Sequence, residues 1–182
     1  MSERFDYTKT PSLLVNFLWG LGHASREMLG MDSTVTKAPV EEAELTCRHL
    51  QFSQDTTFHT VEVPSRENSE RMESYLIPSR VRSAMSPFER GTRSTIALRL
   101  RGCLMVFFKD YWREKVEGLL NEGEVYSRLE QAEVTHIAPF DHGNDLRDHE
   151  TIGHIYEAKS CVCQTIRMAL YQHYRMTLGV VG

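Results

Sequence analysis

Two adjacent apolar segments near the middle of the chain constrain the fold more than any other feature of the sequence. In residues 94–101, "STIALRLR", apolar side chains alternate with other residues, which is the period of a half-buried strand. Residues 104–109, "LMVFFK", form a continuous apolar run that ends in Lys109, as expected for a strand covered on both faces. Because only Gly102 and Cys103 separate the two segments, the sequence predicts an antiparallel hairpin.

A glutamate lies on the apolar side of the helix that is predicted to follow this hairpin. Glu122 falls within a stripe of apolar residues at helical spacing, which would share one face of a helix. The stripe comprises Leu119, Val125, Tyr126 and Leu129. Because a buried charge is costly unless it is paired, the sequence favours an ion pair between Glu122 and Lys109. The alternative is that Lys109 extends into water and that Glu122 is a solvated helix charge.

Further signals predict a helix near the amino terminus and four more strands. Thr10 and Pro11 are typical of a helix start, and apolar residues then recur at helical spacing as far as Leu21. Alternation predicts strands at residues 47–53, 57–63, 134–140 and 173–181. Residues 64–80 are open between a loop and a short helix, and "FDHGND" at 140–145 is interpreted as a turn.

The totals exclude some classes of protein. A net charge of −4 and a pI near 6.1 argue against a general nucleic-acid or anionic-membrane binder, which needs a basic face. The amino terminus lacks the apolar core of a signal peptide, and no apolar run approaches membrane-spanning length. The four cysteines form no evenly spaced framework. We therefore expect an intracellular protein, cytoplasmic or nuclear, with reduced thiols.

A group of histidines precedes a Cys-x-Cys pair, and such residues can bind zinc. Their spacing fits no common ligand pattern, so we interpret them as loop histidines and as two cysteines on one face of an extended segment, with no metal site. The residues are His136, His142, His149, His154, Cys161 and Cys163.

Three short motifs in order resemble the fungal-type protein kinase family: "KDYWR" at 109–113, "GEVYSRL" at 123–129 and "HYR" at 173–175. Members of this family carry a Lys-Asp-x-Trp-Arg element, and "RGTR" at 90–93 looks like their phosphate-side turn. The resemblance implies an α+β fold: a kinase-like amino-terminal lobe over residues 41–182, with an antiparallel sheet and one main helix. A helical segment over residues 1–40 would precede it. The implied parent activity is ATP-dependent phosphorylation of protein hydroxyls.

The resemblance also implies which residues bind the cofactor, ATP with magnesium. Lys109 matches the phosphate-contacting lysine, and Glu122 matches its helix partner, with Glu124 as the alternative. Gly91 and Thr92 match the glycine-rich turn, whose backbone N–H groups can face phosphate.

The sequence departs from the family pattern at two places, and each departure predicts a structural or functional difference. Glu89 stands where the first glycine of the turn is expected, so a stiffer turn and a negative side chain would weaken nucleotide binding. The spacing between Lys109 and Glu122 is short for a kinase, which predicts a helix that starts abruptly.

The sequence lacks the motifs that carry out phosphoryl transfer, which needs a catalytic aspartate and magnesium-binding asparagine and aspartate side chains. No His-Arg-Asp-like loop followed by an Asp-Phe-Gly-like motif occurs, and the chain ends at Gly182, where the family's hinge is expected. We therefore predict an amino-terminal lobe truncated before the catalytic loop, with no catalytic residue and no activity of its own. The alternative is a non-catalytic, pseudokinase-like interaction module.

A lobe without its partner is expected to expose an apolar surface that binds a protein partner or a second copy of the chain. The residues expected on that surface are Val106, Phe108, Met176, Leu178, Val180 and Val181. Alternatively, the amino-terminal helix covers this surface through Leu14, Phe17, Leu18 and Leu21. Neither nucleic acid nor membrane is expected as a partner.

Overall fold

The computed structural model describes residues 5–26, 28–29, 31–68, 70–79, 82–83, 91–151 and 169–180. The chain divides into two compact units, Met1–Val35 and Thr36–Gly182. Within the described residues, no helix is long and apolar enough to cross a membrane.

The first unit contains α1 (Pro11–His23), which begins at the predicted proline. Proline suits this first position because its fixed φ is already helical and its missing N–H would have had no partner. The Thr10 side chain makes no capping hydrogen bond. At the other end, His23 Nδ1 lies 2.8 Å from the Trp19 carbonyl oxygen. No residue of α1 is buried, and its large apolar side chains are exposed.

In its described residues, the second unit consists of an antiparallel sheet and two helices, so the predicted α+β class is confirmed. The strand order is β1-β2-β3-β5-β6-β8-β7, and β4 pairs with β5. The strands are β1 (Val35–Lys37), β2 (Phe58–Pro64), β3 (Met72–Pro78), β4 (Arg82–Ser83), β5 (Arg93–Arg99), β6 (Leu104–Glu114), β7 (Phe140–Glu150) and β8 (Tyr171–Gly179). The helices are α2 (Val40–Leu50) and α3 (Glu122–Gln131).

The predicted hairpin is present as β5 and β6, which pair from Arg99 opposite Leu104 onward. Gly102 and Cys103 both have positive φ, 84° and 51°, which is the conformation that a tight connection requires. β6 continues past Lys109 to Glu114 and pairs along this extension with β8. The strand predicted at 173–181 corresponds to β8, which ends at Gly179, and the strand predicted at 57–63 corresponds to β2, which begins one residue later at Phe58.

The strand that the sequence predicts at residues 47–53 is wrong, because these residues include the end of α2. Ala43, Cys47 and Leu50 lie at helical spacing and pack on a core that contains Leu76 and Leu98. The helix ends at Gln51, which adopts the left-handed conformation with a φ of 55°. A window that starts at residue 47 contains only the last turn, which is too short to reveal the helical period.

The segment after α3 also differs from the prediction. Residues 134–140 are not a strand except for Phe140, and the predicted turn at 140–145 lies inside β7. β7 is irregular, with register shifts between Phe140 and His142 and between Asp145 and Glu150. Burial recurs there every three residues, so the two-residue alternation of a regular strand is absent from the sequence. Residues 64–80, for which the sequence favours neither a loop nor a short helix, contain the strand β3.

Most of the apolar surface predicted to be exposed is buried. Val106, Phe108, Met176 and Leu178 are each at most 6% exposed. Val106 and Phe108 point to one side of β6, and the other two pack with Tyr111 and Phe140 on the α3 side. Val180 is 41% exposed, as expected, and Val181 lies outside the described residues. The exposed apolar residues of β6 are instead Leu104, Met105 and Phe107.

Candidate functional site

Lys109 and Glu122 form the predicted ion pair. The Lys109 Nζ atom donates to both carboxylate oxygens of Glu122, at 2.6 and 2.9 Å. Lys109 lies in the middle of β6, and Glu122 is the first residue of α3. The two side chains are 27% and 28% exposed, so the pair is partly desolvated yet open to a ligand. The helix also starts abruptly at the glutamate, as its short spacing from Lys109 predicted.

The alternative partner, Glu124, has a different role. Its carboxylate accepts a hydrogen bond from the Asn121 N–H at 2.8 Å, while the Asn121 side chain accepts one from the Glu124 N–H at 2.8 Å. This reciprocal pair is a capping box, which satisfies two N–H groups at the helix start. Glu124 therefore caps the start of the helix, and of the two glutamates it is Glu122 that faces the lysine. The negative charge of Glu122 in the first turn of α3 is also stabilised by the positive end of the helix dipole.

Gly123 brings the start of α3 into direct contact with the sheet. Its N–H donates to the Tyr174 hydroxyl of β8 at 2.9 Å. A side chain at this position would place its Cβ 2.5 Å from that hydroxyl and 2.6 Å from the Phe140 ring. Only glycine therefore allows this approach, which sequence reasoning did not identify.

The ion pair opens into a cleft of about 380 Å³. Three of the four predicted cofactor-binding residues, Thr92, Lys109 and Glu122, line this cleft. The fourth, Gly91, is adjacent to Thr92 and has a φ of 60°, which glycine adopts without strain. Glu89, the expected departure from the family turn, lies outside the described residues.

Tyr111 and Arg113 also line the cleft. Both keep their protons, so Tyr111 is neutral and Arg113 is positively charged. The Tyr111 ring lies beneath the lysine, with Nζ 4.8 Å from the ring centroid. Burial, and then the nearby Glu122 charge, raise the pKa of Tyr111, so its hydroxyl stays neutral. Arg113 makes a two-point contact with Asp145, at 2.7 and 2.6 Å. These hydrogen bonds raise the pKa of Arg113.

The opposite face of β6 carries the other residues of the "KDYWR" motif, and they contact the "HYR" motif of β8. Asp110 lies opposite Arg175, and Trp112 lies opposite His173. The Asp110 carboxylate is hydrogen-bonded to His173 Nε2 and lies 3.6 Å from Arg175 Nε. The Trp112 ring stacks on His173 with centroids 4.8 Å apart. The two motifs are therefore cross-strand partners.

This second cluster is deeply buried. Asp110, His173 and Arg175 are 8%, 6% and 0% exposed. Arg175 also donates to the Glu62 carbonyl of β2 at 3.0 Å, so the cluster links distant strands of the sheet. Sequence reasoning found both motifs but not their contact, because their residues are more than sixty positions apart.

Two of the histidines considered above lie in β7. His149 Nδ1 is 3.2 Å from His173 Nδ1, and His142 lies on the same strand. His136 precedes β7 in the left-handed conformation, with a φ of 63°. His154, Cys161 and Cys163 lie outside the described residues.

These features define the class of protein. A strand lysine held by a glutamate of the following helix, on an antiparallel sheet, is the arrangement of a protein kinase amino-terminal lobe. The family model described as "Fungal protein kinase" matches residues 1–175, nearly the whole chain. The chain therefore belongs to the fungal protein kinase family. No curated protein and no solved structure matches it.

Proposed function

We propose that this chain binds the phosphates of ATP with magnesium through Lys109, and that Glu122 orients the lysine for that contact. The observation that carries the proposal is the two-point Lys109–Glu122 ion pair at the edge of an open cleft. The lysine supplies a positive charge to the nucleotide phosphates, and the glutamate limits the positions its flexible side chain can take.

The residues around the pair fit such a ligand. A cleft of about 380 Å³ is within the usual range for small-molecule sites, roughly 300–1,000 Å³. Thr92, directly after the turn glycine Gly91, lines the cleft. When bound, ATP supplies the phosphoryl group that is transferred, and magnesium neutralises its charge. In this chain, Lys109 holds the phosphates and Glu122 holds Lys109.

We further propose that the parent activity, phosphorylation of protein hydroxyls, is not carried out by these 182 residues alone. Family membership supports the reaction class. The kinase motifs that orient the attacking hydroxyl and bind magnesium do not occur in this sequence. Incubation with labelled ATP and a general protein substrate should give no phosphorylated product. Transfer that disappears with Lys109→Met would contradict this proposal.

A second candidate function is a non-catalytic interaction module of pseudokinase type. Met105 and Phe107 favour it, because they are 50% and 36% exposed on the Lys109 side of β6, and Leu104 beside them is 49% exposed. Neighbouring exposed apolar side chains often mark a protein-binding surface. Light scattering of wild type and of Met105→Ser/Phe107→Ser distinguishes the cases. If wild type self-associates and the double substitution abolishes that association, the result supports an interaction surface on β6. If wild type is a monomer, the result contradicts a surface that binds a second copy of the chain.

Titration with a fluorescent ATP analogue in magnesium tests nucleotide binding directly. Lys109→Met should weaken binding by roughly tenfold to a hundredfold, the equivalent of a charged hydrogen bond. Lys115→Met is the matched control, because Lys115 pairs with Glu150 and does not line the cleft. Equal losses in both variants, or no binding by wild type, would overturn the proposed nucleotide site.

A further inference from the structure

We propose that the Tyr174 hydroxyl is a positioning group that holds the first turn of α3 so that Glu122 faces Lys109. The proposal deepens the nucleotide site and rests on the function proposed above. Tyr174 does not line the cleft, so it would act through the helix and not by touching a ligand.

The first argument is the hydrogen bonding at the helix start. The first N–H groups of a helix have no partner within the helix. The Asn121 side chain accepts from the Glu124 N–H, and the Tyr174 hydroxyl accepts from the Gly123 N–H at 2.9 Å. The same hydroxyl lies 3.3 Å from Asn121 Oδ1, to which it donates. Tyr174 therefore contacts both residues that flank Glu122.

The second argument is the close packing of Gly123. No space exists for a Cβ atom there, because the Tyr174 hydroxyl and the Phe140 ring would lie 2.5 and 2.6 Å from it. The backbone of the first turn thus rests directly on two core side chains. Tyr174 is fully buried, so its ring offers a fixed support on which the helix start is placed.

The third argument is that the same support carries the lysine. Tyr174 lies opposite Tyr111 across β6 and β8, with ring centroids 5.5 Å apart. The Tyr111 ring in turn lies 4.8 Å from Lys109 Nζ. Both partners of the ion pair are therefore placed by one pair of adjoining tyrosines. Burial raises the pKa of Tyr174, so its hydroxyl keeps the proton that it donates to Asn121.

A zero-length cross-link tests the positioning without any nucleotide. A carbodiimide joins a lysine amine to a carboxylate in contact with it, with loss of water, and mass spectrometry of the digested protein measures the Lys109–Glu122 product. Tyr174→Phe should lower that yield about fivefold, the equivalent of one hydrogen bond of about 1 kcal/mol. The Lys115–Glu150 pair serves as the internal reference and should not change.

Tyr126→Phe is the matched control. Tyr126 lies on α3, its ring stacks on Phe140, and its hydroxyl has no hydrogen-bond partner in the described part of the chain. It should leave the Lys109–Glu122 yield unchanged. If Tyr174→Phe does not fold, Gly123→Ala tests the same contact from the helix side and should give the same loss.

A double-substitution cycle separates positioning from general damage. Tyr174→Phe should weaken binding of the fluorescent ATP analogue about fivefold in wild type and have no effect when Glu122 is already Gln. An equal loss in both backgrounds would show a structural role and overturn the proposal. If wild type binds no nucleotide, the function proposed above fails, and the cross-link alone decides on the positioning. An unchanged cross-link in Tyr174→Phe overturns it.

Discussion

The residues of the "KDYWR" motif are divided between the two faces of β6, and the two groups differ in their contacts and in their burial. On one face, Lys109 pairs with Glu122, and both side chains are more than a quarter exposed beside an open cleft. On the other face, Asp110 contacts His173 and Arg175, and all three are buried. Because strand residues alternate between faces, a five-residue element places a cleft-lining cation and a buried polar cluster next to each other.

The difference in burial predicts a difference in energetic cost. A partly exposed ion pair contributes little to stability, about 0–1 kcal/mol. Removing one partner of a buried pair costs about 3–5 kcal/mol, because the other charge remains without its compensation. The two faces should therefore separate in experiment, one affecting ligand binding and the other affecting folding.

Asp110→Ala should give the largest effect. It removes the carboxylate that buried His173 and Arg175 contact, so the free energy of unfolding should fall by about 3–5 kcal/mol. Urea denaturation followed by circular dichroism measures the change. A loss below about 1 kcal/mol would place Asp110 in the same energetic class as the exposed pair and remove the contrast between the faces.

Gly123→Ala should give the next largest effect. In a helix this change normally stabilises by about 0.5–1 kcal/mol, but here the added Cβ meets the Tyr174 hydroxyl and the Phe140 ring. Overpacking of this kind costs about 1–3 kcal/mol. The control is Gly20→Ala in α1, where nothing lies within 4 Å of the new atom. A stabilised Gly123→Ala protein would contradict the close contact at the start of α3.

Tyr174, one of two buried tyrosines on the α3 side, should make stability depend on alkaline pH. Burial raises the pKa of Tyr174 above its usual value, so the folded protein keeps a proton that the unfolded chain releases above about pH 10. Its contribution is complete below that pH and is lost as the pH rises, by about 1.4 kcal/mol per pH unit. Urea midpoints at a series of pH values should fall less steeply in Tyr174→Phe. Identical slopes would contradict this assignment.

Lys109→Met should give the smallest effect on folding. Its partner Glu122 is 28% exposed and can be solvated by water, so the free energy of unfolding should fall by less than about 1 kcal/mol. Denaturation under the same conditions as for Asp110→Ala makes the comparison direct. If the free energy of unfolding fell as much as in Asp110→Ala, the cleft face of β6 would also be needed for folding.

Local patterns predicted the parts of the fold that depend on neighbouring residues. The hairpin, the start of α1 and the Lys109–Glu122 pair follow from alternation, helical spacing and the cost of an unpaired charge. The role of Glu124 was also readable, because Asn121 three residues earlier completes a capping box. A carboxylate that caps its own helix start is not available to pair with Lys109.

The missed features depend on distant contacts or on irregular strands. β7 lacks two-residue alternation because its register shifts twice along β8. The Asp110–His173 and Gly123–Tyr174 contacts join residues 63 and 51 positions apart, so no local window contains both partners. Met176 and Leu178 were expected to be exposed because the predicted fold did not include their packing with Tyr111 and Phe140.

The central claim is that Lys109 serves a ligand while Asp110 serves the fold. Thermal unfolding of wild type, Lys109→Met and Asp110→Ala, each with and without saturating ATP and magnesium, tests it most directly, since a ligand stabilises only the state that binds it. The account predicts that Lys109→Met unfolds near the wild-type temperature without ligand and gains clearly less stability than wild type when ligand is added. A Lys109→Met protein that gains as much as wild type, or that is as unstable as Asp110→Ala without ligand, would contradict it.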